Sequence, residues 1–147
     1  MEHFGIKIFT VLALFICSAN SIHAHNYKIP IEVSRVIDGD TIEAKIDDNI
    51  FKVRFINIDC METIPIHRAY TQAYKNKIDI NEVIKKGQIA KNYLTLLIKT
   101  SEKNFYIEFK GIDIYGRALG IFYIGDSNIN QDLLNKNYCL PYSYKKN

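Results

Sequence analysis

The chain of 147 residues has no tryptophan and only three cysteines, against ten tyrosines. No segment repeats and no tract is of low complexity, which excludes a solenoid or an array. The four histidines, His3, His23, His25 and His67, have no metal-ligand spacing. The cysteines outside the N-terminal segment, Cys60 and Cys139, cannot make a zinc site by themselves. Charge of one sign is also scarce. The net charge of +3 is compatible with a polyanionic partner but too small to establish one. What remains is an ordinary globular composition, 48% hydrophobic and 24% charged, at the length of one domain.

No apolar run reaches the ~20 residues of a membrane span. The longest, "IFTVLALFICSA", is followed by the small and polar residues Ser18, Ala19, Asn20, Ser21 and Ala24. This is the order of a secretory signal peptide over residues 1–24, cleaved between Ala19 and Ala24. The alternatives are an uncleaved anchor or a buried helix. A lipoprotein reading through Cys17 is disfavoured by the bulky Ile16. Cleavage leaves a single domain, residues 25–147, secreted or periplasmic, monomeric and without stable membrane association. In an exported protein, Cys60 and Cys139 are either a disulfide or two separately buried thiols.

Strands are expected at Ile31–Ile37, Thr41–Ile46 and Ile50–Ile58, with a turn at Asp47–Asn49. Residues 61–86 are polar and mixed around Pro65. They read as a long surface loop, with room for a short helix at Arg68–Lys75. Gly87–Thr100 has helical spacing, placing Ile89, Tyr93, Leu96 and Leu97 on one face. Strands follow at Asn104–Lys110 and Ala118–Ile124, then a short helix at Ile129–Asn137 and an extended tail. The expected class is mainly β with helices (α+β). It is a five-stranded antiparallel OB-fold barrel, with one helix between strands three and four and a short C-terminal helix.

"VIDGDTIEAKI" places Asp38 and Asp40 around a glycine at a strand mouth. Taken alone, Asp-Gly is a hairpin signal, and Asp38 is read as bracing the turn. The third strand ends in "INIDCME", with Asp59 at its end, Glu62 three residues on, and Arg54 five residues before Asp59. Arg117 closes "DIYGR" ahead of the fifth strand. Three acids and two arginines thus sit at strand edges. Phosphoryl chemistry uses those types: a cation to neutralise phosphate charge, a carboxylate to position or activate water, and arginines to stabilise the transition state. The lysines Lys75, Lys77, Lys85, Lys86 and Lys91 read as a solvated face.

"VIDGDT", "VRFINIDCME" and "DIYGRALG", in that order, resemble the staphylococcal nuclease (thermonuclease) family over Val33 to Tyr144. The resemblance implies the same barrel. It implies Ca²⁺ as cofactor, held by Asp40, Asp59 and the backbone carbonyl of Cys60. It makes Glu62 the general base or the residue that positions the attacking water, and it puts Arg54 and Arg117 on the scissile phosphate. Tyr115 is implied beside the substrate, with Tyr142 near a second substrate-facing tyrosine. The implied reaction is hydrolysis of DNA and RNA with little sequence preference, leaving 3′-phosphates. Cys60-Met61 replaces the family's frequent Thr-Pro, which removes proline's stiffening from the loop. A Cys60–Cys139 bridge would tie that loop to the C-terminal segment. The rival function is a non-catalytic OB-fold module that binds single-stranded nucleic acid. A third class is an exported interaction protein stabilised by a disulfide.

Overall fold

The computed structural model describes residues 27–143, so the expected signal peptide lies outside the described residues. Strands β1 (Lys28–Asp38), β2 (Thr41–Ile46), β3 (Asn49–Phe55), β5 (Phe105–Ile112) and β6 (Ala118–Ile124) form a closed five-stranded barrel. Four seams are antiparallel. The closing seam, β3 with β6, is parallel, so the expected all-antiparallel pairing holds everywhere except there. β1 serves two neighbours: Lys28–Ile31 pairs with β5, and the following residues pair with β2 across two register shifts. Such irregularities let one strand bend around a small barrel.

The apolar alternation of the strands supplies the interior. Ile42, Ala44, Val53, Phe55, Ile107 and Phe122 are buried, and the rings of Phe55 and Phe122 stack at 5.2 Å. Ala90 and Leu94 of a long helix join this core, as does Leu133 of a short one.

The third expected strand is divided. Asn57 takes a left-handed conformation (φ 64°), which asparagine tolerates better than most residues. The chain turns there, and β4 (Ile58–Cys60) leaves the barrel to pair with β8 (Cys139–Pro141), the expected extended tail. A two-residue strand, β7 (Ser127–Asn128), pairs with β6 and leads into α3 (Ile129–Asn135).

The expected long loop is mostly helical. It contains α1 (His67–Asn76), where room for a short helix was expected at Arg68–Lys75, and the first two turns of α2 (Ile80–Thr100), so two helices, not one, stand between the third and fourth strands of the barrel. Asp79 caps α2, its side chain accepting from the N–H of Asn81 at 2.7 Å. The buried face of α2 is Val83, Gly87, Ala90 and Leu94. Of the residues expected on one face, Tyr93 and Leu97 pack against the core, while Ile89 and Leu96 are 42% and 59% exposed. No described helix is long and apolar enough to cross a membrane.

Candidate active site

The β1–β2 turn delivers Asp40. Asp38 braces that turn, its Oδ1 accepting from the N–H of Asp40 at 3.0 Å. Gly39 is required by close approach: a Cβ there would lie 2.6 Å from the Cβ of Ala90 and 2.9 Å from that of Cys60. Asp40 is buried, and its Oδ2 accepts from the N–H of Cys60 at 2.6 Å. Burial pushes its carboxyl well above the usual carboxylate range; Arg54 opposes this and the charge of Asp38 reinforces it.

Arg54 is the hub. It alternates with Val53 and Phe55, which face the core, yet it is only 4% exposed because β4 and the β1–β2 turn close over it. Its guanidinium pairs with Asp40 and with Asp59 Oδ1, the latter at 3.1 Å. It also donates to the carbonyls of Asp40 at 3.4 Å, Phe55 at 3.5 Å and Ile58 at 3.3 Å. Asp59 is the middle residue of β4, and Cys60 after it is joined by a disulfide to Cys139 on β8.

Glu62 follows β4 and is held from α1. Two residues one helical turn apart on that helix, Arg68 and Gln72, reach the loop together. Gln72 is buried and spends both ends of its amide on the backbone. Its Oε1 accepts from the N–H of Glu62 at 2.9 Å, and its Nε2 donates to the Cys60 carbonyl at 3.0 Å. The carbonyl expected to ligate metal is thus engaged on one lone pair and keeps the other. Arg68 bridges the acids, donating from Nη2 to Asp59 Oδ1 and from Nε to Glu62 Oε1, the latter at 2.9 Å. Burial raises the Glu62 carboxyl; Arg68 opposes this, while Asp38 and Asp59 reinforce it. Burial alone would lower Arg68, but Asp59 and Glu62 hold it above the ordinary arginine value.

Arg117 lies across the cleft on the turn between β5 and β6. Asp113 organises that turn: its Oδ1 accepts from the N–H groups of Tyr115 and Arg117, both at 2.9 Å, and its Oδ2 from Arg117 Nε at 2.7 Å. The guanidinium carbon of Arg117 is 5.6 Å from the ring centre of Tyr115, which is 78% exposed. A cleft of about 460 Å³ brings Arg54, Arg68, Tyr115, Arg117 and Tyr142 to one wall system. Asp40, Asp59 and Glu62 do not line it. They stand immediately behind its arginines.

Sequence reasoning missed Arg68 and Gln72. The available signal is their spacing of four within a stretch able to form a helix, set inside a segment whose polar, mixed composition reads as surface loop.

The donor set suits a hard cation. Asp38, Asp40, Asp59 and Glu62 act electrostatically on one another, and among them stand two guanidiniums, Arg54 and Arg68. With all four ionised, these carboxylates would exceed the two guanidiniums by two negative charges; burial works against that state at Asp40 and Glu62, and a divalent ion bound by oxygens would balance it. Among the described residues, no three acidic, histidine or cysteine side chains are grouped as a ready cage. Backbone oxygen and water would have to complete the shell.

The family described as Staphylococcal nuclease homologue matches residues 52–147, which include Arg54, Asp59, Glu62 and Arg117 and begin after Asp40. "Endonuclease YhcR" of Bacillus subtilis (strain 168) is 33% identical over 113 residues, covering 75% of this chain and 9% of that protein. "Uncharacterized protein MJ1439" of Methanocaldococcus jannaschii is 30% identical over 129 residues, covering 82% of this chain and 61% of that protein. The chain therefore spans less than two thirds of either relative.

Proposed function

The chain belongs to the staphylococcal nuclease homologue family, and on that premise we propose that it is an exported, monomeric, Ca²⁺-dependent nuclease. In this reading it hydrolyses phosphodiester bonds of DNA and RNA with little sequence preference and leaves 3′-phosphates. The observation that carries it is one cleft walled by Arg54, Arg68 and Arg117, with Asp40 and Asp59 paired to Arg54 and Glu62 paired to Arg68. Carboxylates there would repel a phosphate unless a cation or a reacting water justified them. The printed name of the Bacillus relative, an endonuclease, supports the same class. The Cys60–Cys139 bridge supports export, since disulfides persist in oxidising compartments.

Asp40 and Asp59, with the free lone pair of the Cys60 carbonyl, would hold the calcium ion. Bound there, it would supply phosphate charge neutralisation and Lewis acidity. Glu62 orients the attacking water and takes its proton. Its backbone is fixed by Gln72, which limits the loop's freedom where proline is missing. Arg54 and Arg117 bind the non-bridging oxygens and stabilise the charge that builds in the transition state. Tyr115 and Tyr142 flank the substrate on the exposed rim. The water oxygen bonds to phosphorus as the bond from phosphorus to the 5′ oxygen breaks; the 5′ oxygen leaves as a hydroxyl with a proton from solvent, Glu62 returns its proton to solvent, and the phosphate stays on the 3′ side.

The test is cleavage of single-stranded DNA by residues 25–147 with Ca²⁺ and with chelator, beside Glu62→Gln. Calcium-dependent cutting that collapses in the variant is the expected result. Tight binding without cutting would instead make the chain a nucleic-acid-binding module.

A further inference from the structure

Two guanidiniums share the same oxygen, Asp59 Oδ1, and they are unequal. Arg54 is buried and tied to three backbone carbonyls besides its two acids. Moving it would strand several buried acceptors, each costly to leave unpaired. Arg68 has a half-exposed side chain, and its contacts at the site are two ion pairs, to Asp59 and Glu62. Asp59 and Glu62 are mostly buried, but the guanidinium itself stays half in water, so releasing it strands no buried donor. Arg68 also lines the cleft that contains Arg117 and Tyr115, so its guanidinium reaches the substrate side without any movement of α1.

We propose that Arg68 is a further substrate-binding residue that exchanges partners. In the metal-free chain it is the counter-ion of Asp59 and Glu62, and once a divalent cation takes over Asp59 and Glu62 is left to the attacking water it pairs with a substrate phosphate. This rests on the calcium-nuclease reading above. Arg68 then does two opposed things. It competes with the metal for Asp59, which weakens metal binding, and it adds one phosphate contact, which strengthens substrate binding.

Calorimetric titration of Ca²⁺ into the wild type, Arg68→Gln and Arg68→Lys reads the first effect without any turnover. Arg68→Gln is expected to bind calcium about tenfold tighter, since a positive charge beside the ligands is gone. Arg68→Lys, which keeps a point charge, is expected within about twofold of the wild type. The second effect is read from binding of a hydrolysis-resistant phosphorothioate oligonucleotide in Ca²⁺ across a salt series. The log–log slope is expected to flatten by about 0.7 in Arg68→Gln, the loss of one phosphate contact on a single strand. Weaker calcium binding in Arg68→Gln, or an unchanged salt slope, overturns the proposal and makes Arg68 a fixed anchor of the two acids. A wild type that binds no calcium overturns the calcium reading itself, and this proposal with it.

Discussion

Arg54 reaches five acceptors from one buried guanidinium, and its planar fork is what allows Asp40 and Asp59 to be served together. Lysine keeps the charge but cannot span that set. Arg54→Lys is therefore expected to abolish most turnover and also to destabilise the fold by about 1–3 kcal/mol, because buried acceptors lose their donor. Steady-state cleavage and urea unfolding of the same variant check both parts; wild-type rates would remove Arg54 from the phosphate. Asp113 permits a prediction in pH. Burial would raise its carboxyl, but the N–H groups of Arg117 and Tyr115 and the Arg117 guanidinium outweigh that and hold it below its ordinary value of 3.8. A carboxylate with a lowered folded pKa adds stability that is present above the unfolded pKa and is lost as pH falls through the folded one. Asp113→Asn is expected to cost about 1 kcal/mol at pH 7. The gap to the wild type should close in urea titrations carried below pH 3.8. A gap that does not change with pH would mean the carboxylate charge is not what organises the turn.

At the scale of elements, the barrel is legible in the sequence and the helical cover only in part: room for a short helix at Arg68–Lys75 and the spacing of Gly87–Thr100 match α1 and most of α2, but not how they dock. Strand alternation and the Asp-Asp-Asn turn mark β1 to β3 plainly, because a half-buried strand writes period two into the sequence. The boundary between β3 and β4 was missed because "FINI" stays apolar through the break, and only the left-handed Asn57 marks it. The start of α2 was missed for a different reason. Glycine normally lowers helical expectation, so Gly87 was read as an edge, whereas the apolar spacing Val83, Gly87, Ala90, Leu94 runs straight through it. Asp40, Arg54, Asp59, Glu62 and Arg117 were visible as motifs. Arg68 and Gln72 carry only the weak signal of their spacing of four, since their importance comes from α1 docking on the loop after β4, and the sequence does not say where α1 docks. Gly87 is the packing requirement of that arrangement. A Cβ added there would lie 2.2 Å from the carbonyl oxygen of Glu62. Gly87→Ala is expected to push the Glu62 loop off α2, costing about 1–3 kcal/mol by overpacking and lowering kcat more than it raises KM. An alanine variant with wild-type stability and kcat would show that the loop has slack to absorb a methyl group.

At the scale of the whole molecule, the site lies where three substructures meet. The barrel supplies Asp40, Arg54 and Arg117; the α1–α2 cover supplies Arg68 and Gln72; the β4–β8 ribbon supplies Asp59, and Tyr142 follows it. The ribbon is the least supported of these, since its two strands are three residues each. Its two strands are joined to each other by the bridge from Cys60 to Cys139 and by Tyr142 donating from its backbone to Asn57, and it is held to the barrel by the N–H of Cys60 meeting Asp40 and by Arg54 meeting Asp59 and the Ile58 carbonyl. That bridge spans a sequence separation of 79 and so encloses both cover helices, β5, β6 and α3. Closing a loop of that length restricts the unfolded chain by about 4 kcal/mol in the chain-entropy account. Reduction, or Cys139→Ser, is thus expected to lower the urea midpoint strongly. Activity should fall further than stability alone dictates at concentrations of urea where the barrel is still folded, because Asp59 and the Cys60 carbonyl ride on the freed ribbon. Parallel urea titrations read by far-UV dichroism and by cleavage rate separate the two effects. Coincident curves would mean that the ribbon and barrel unfold as one unit and that the bridge contributes stability alone.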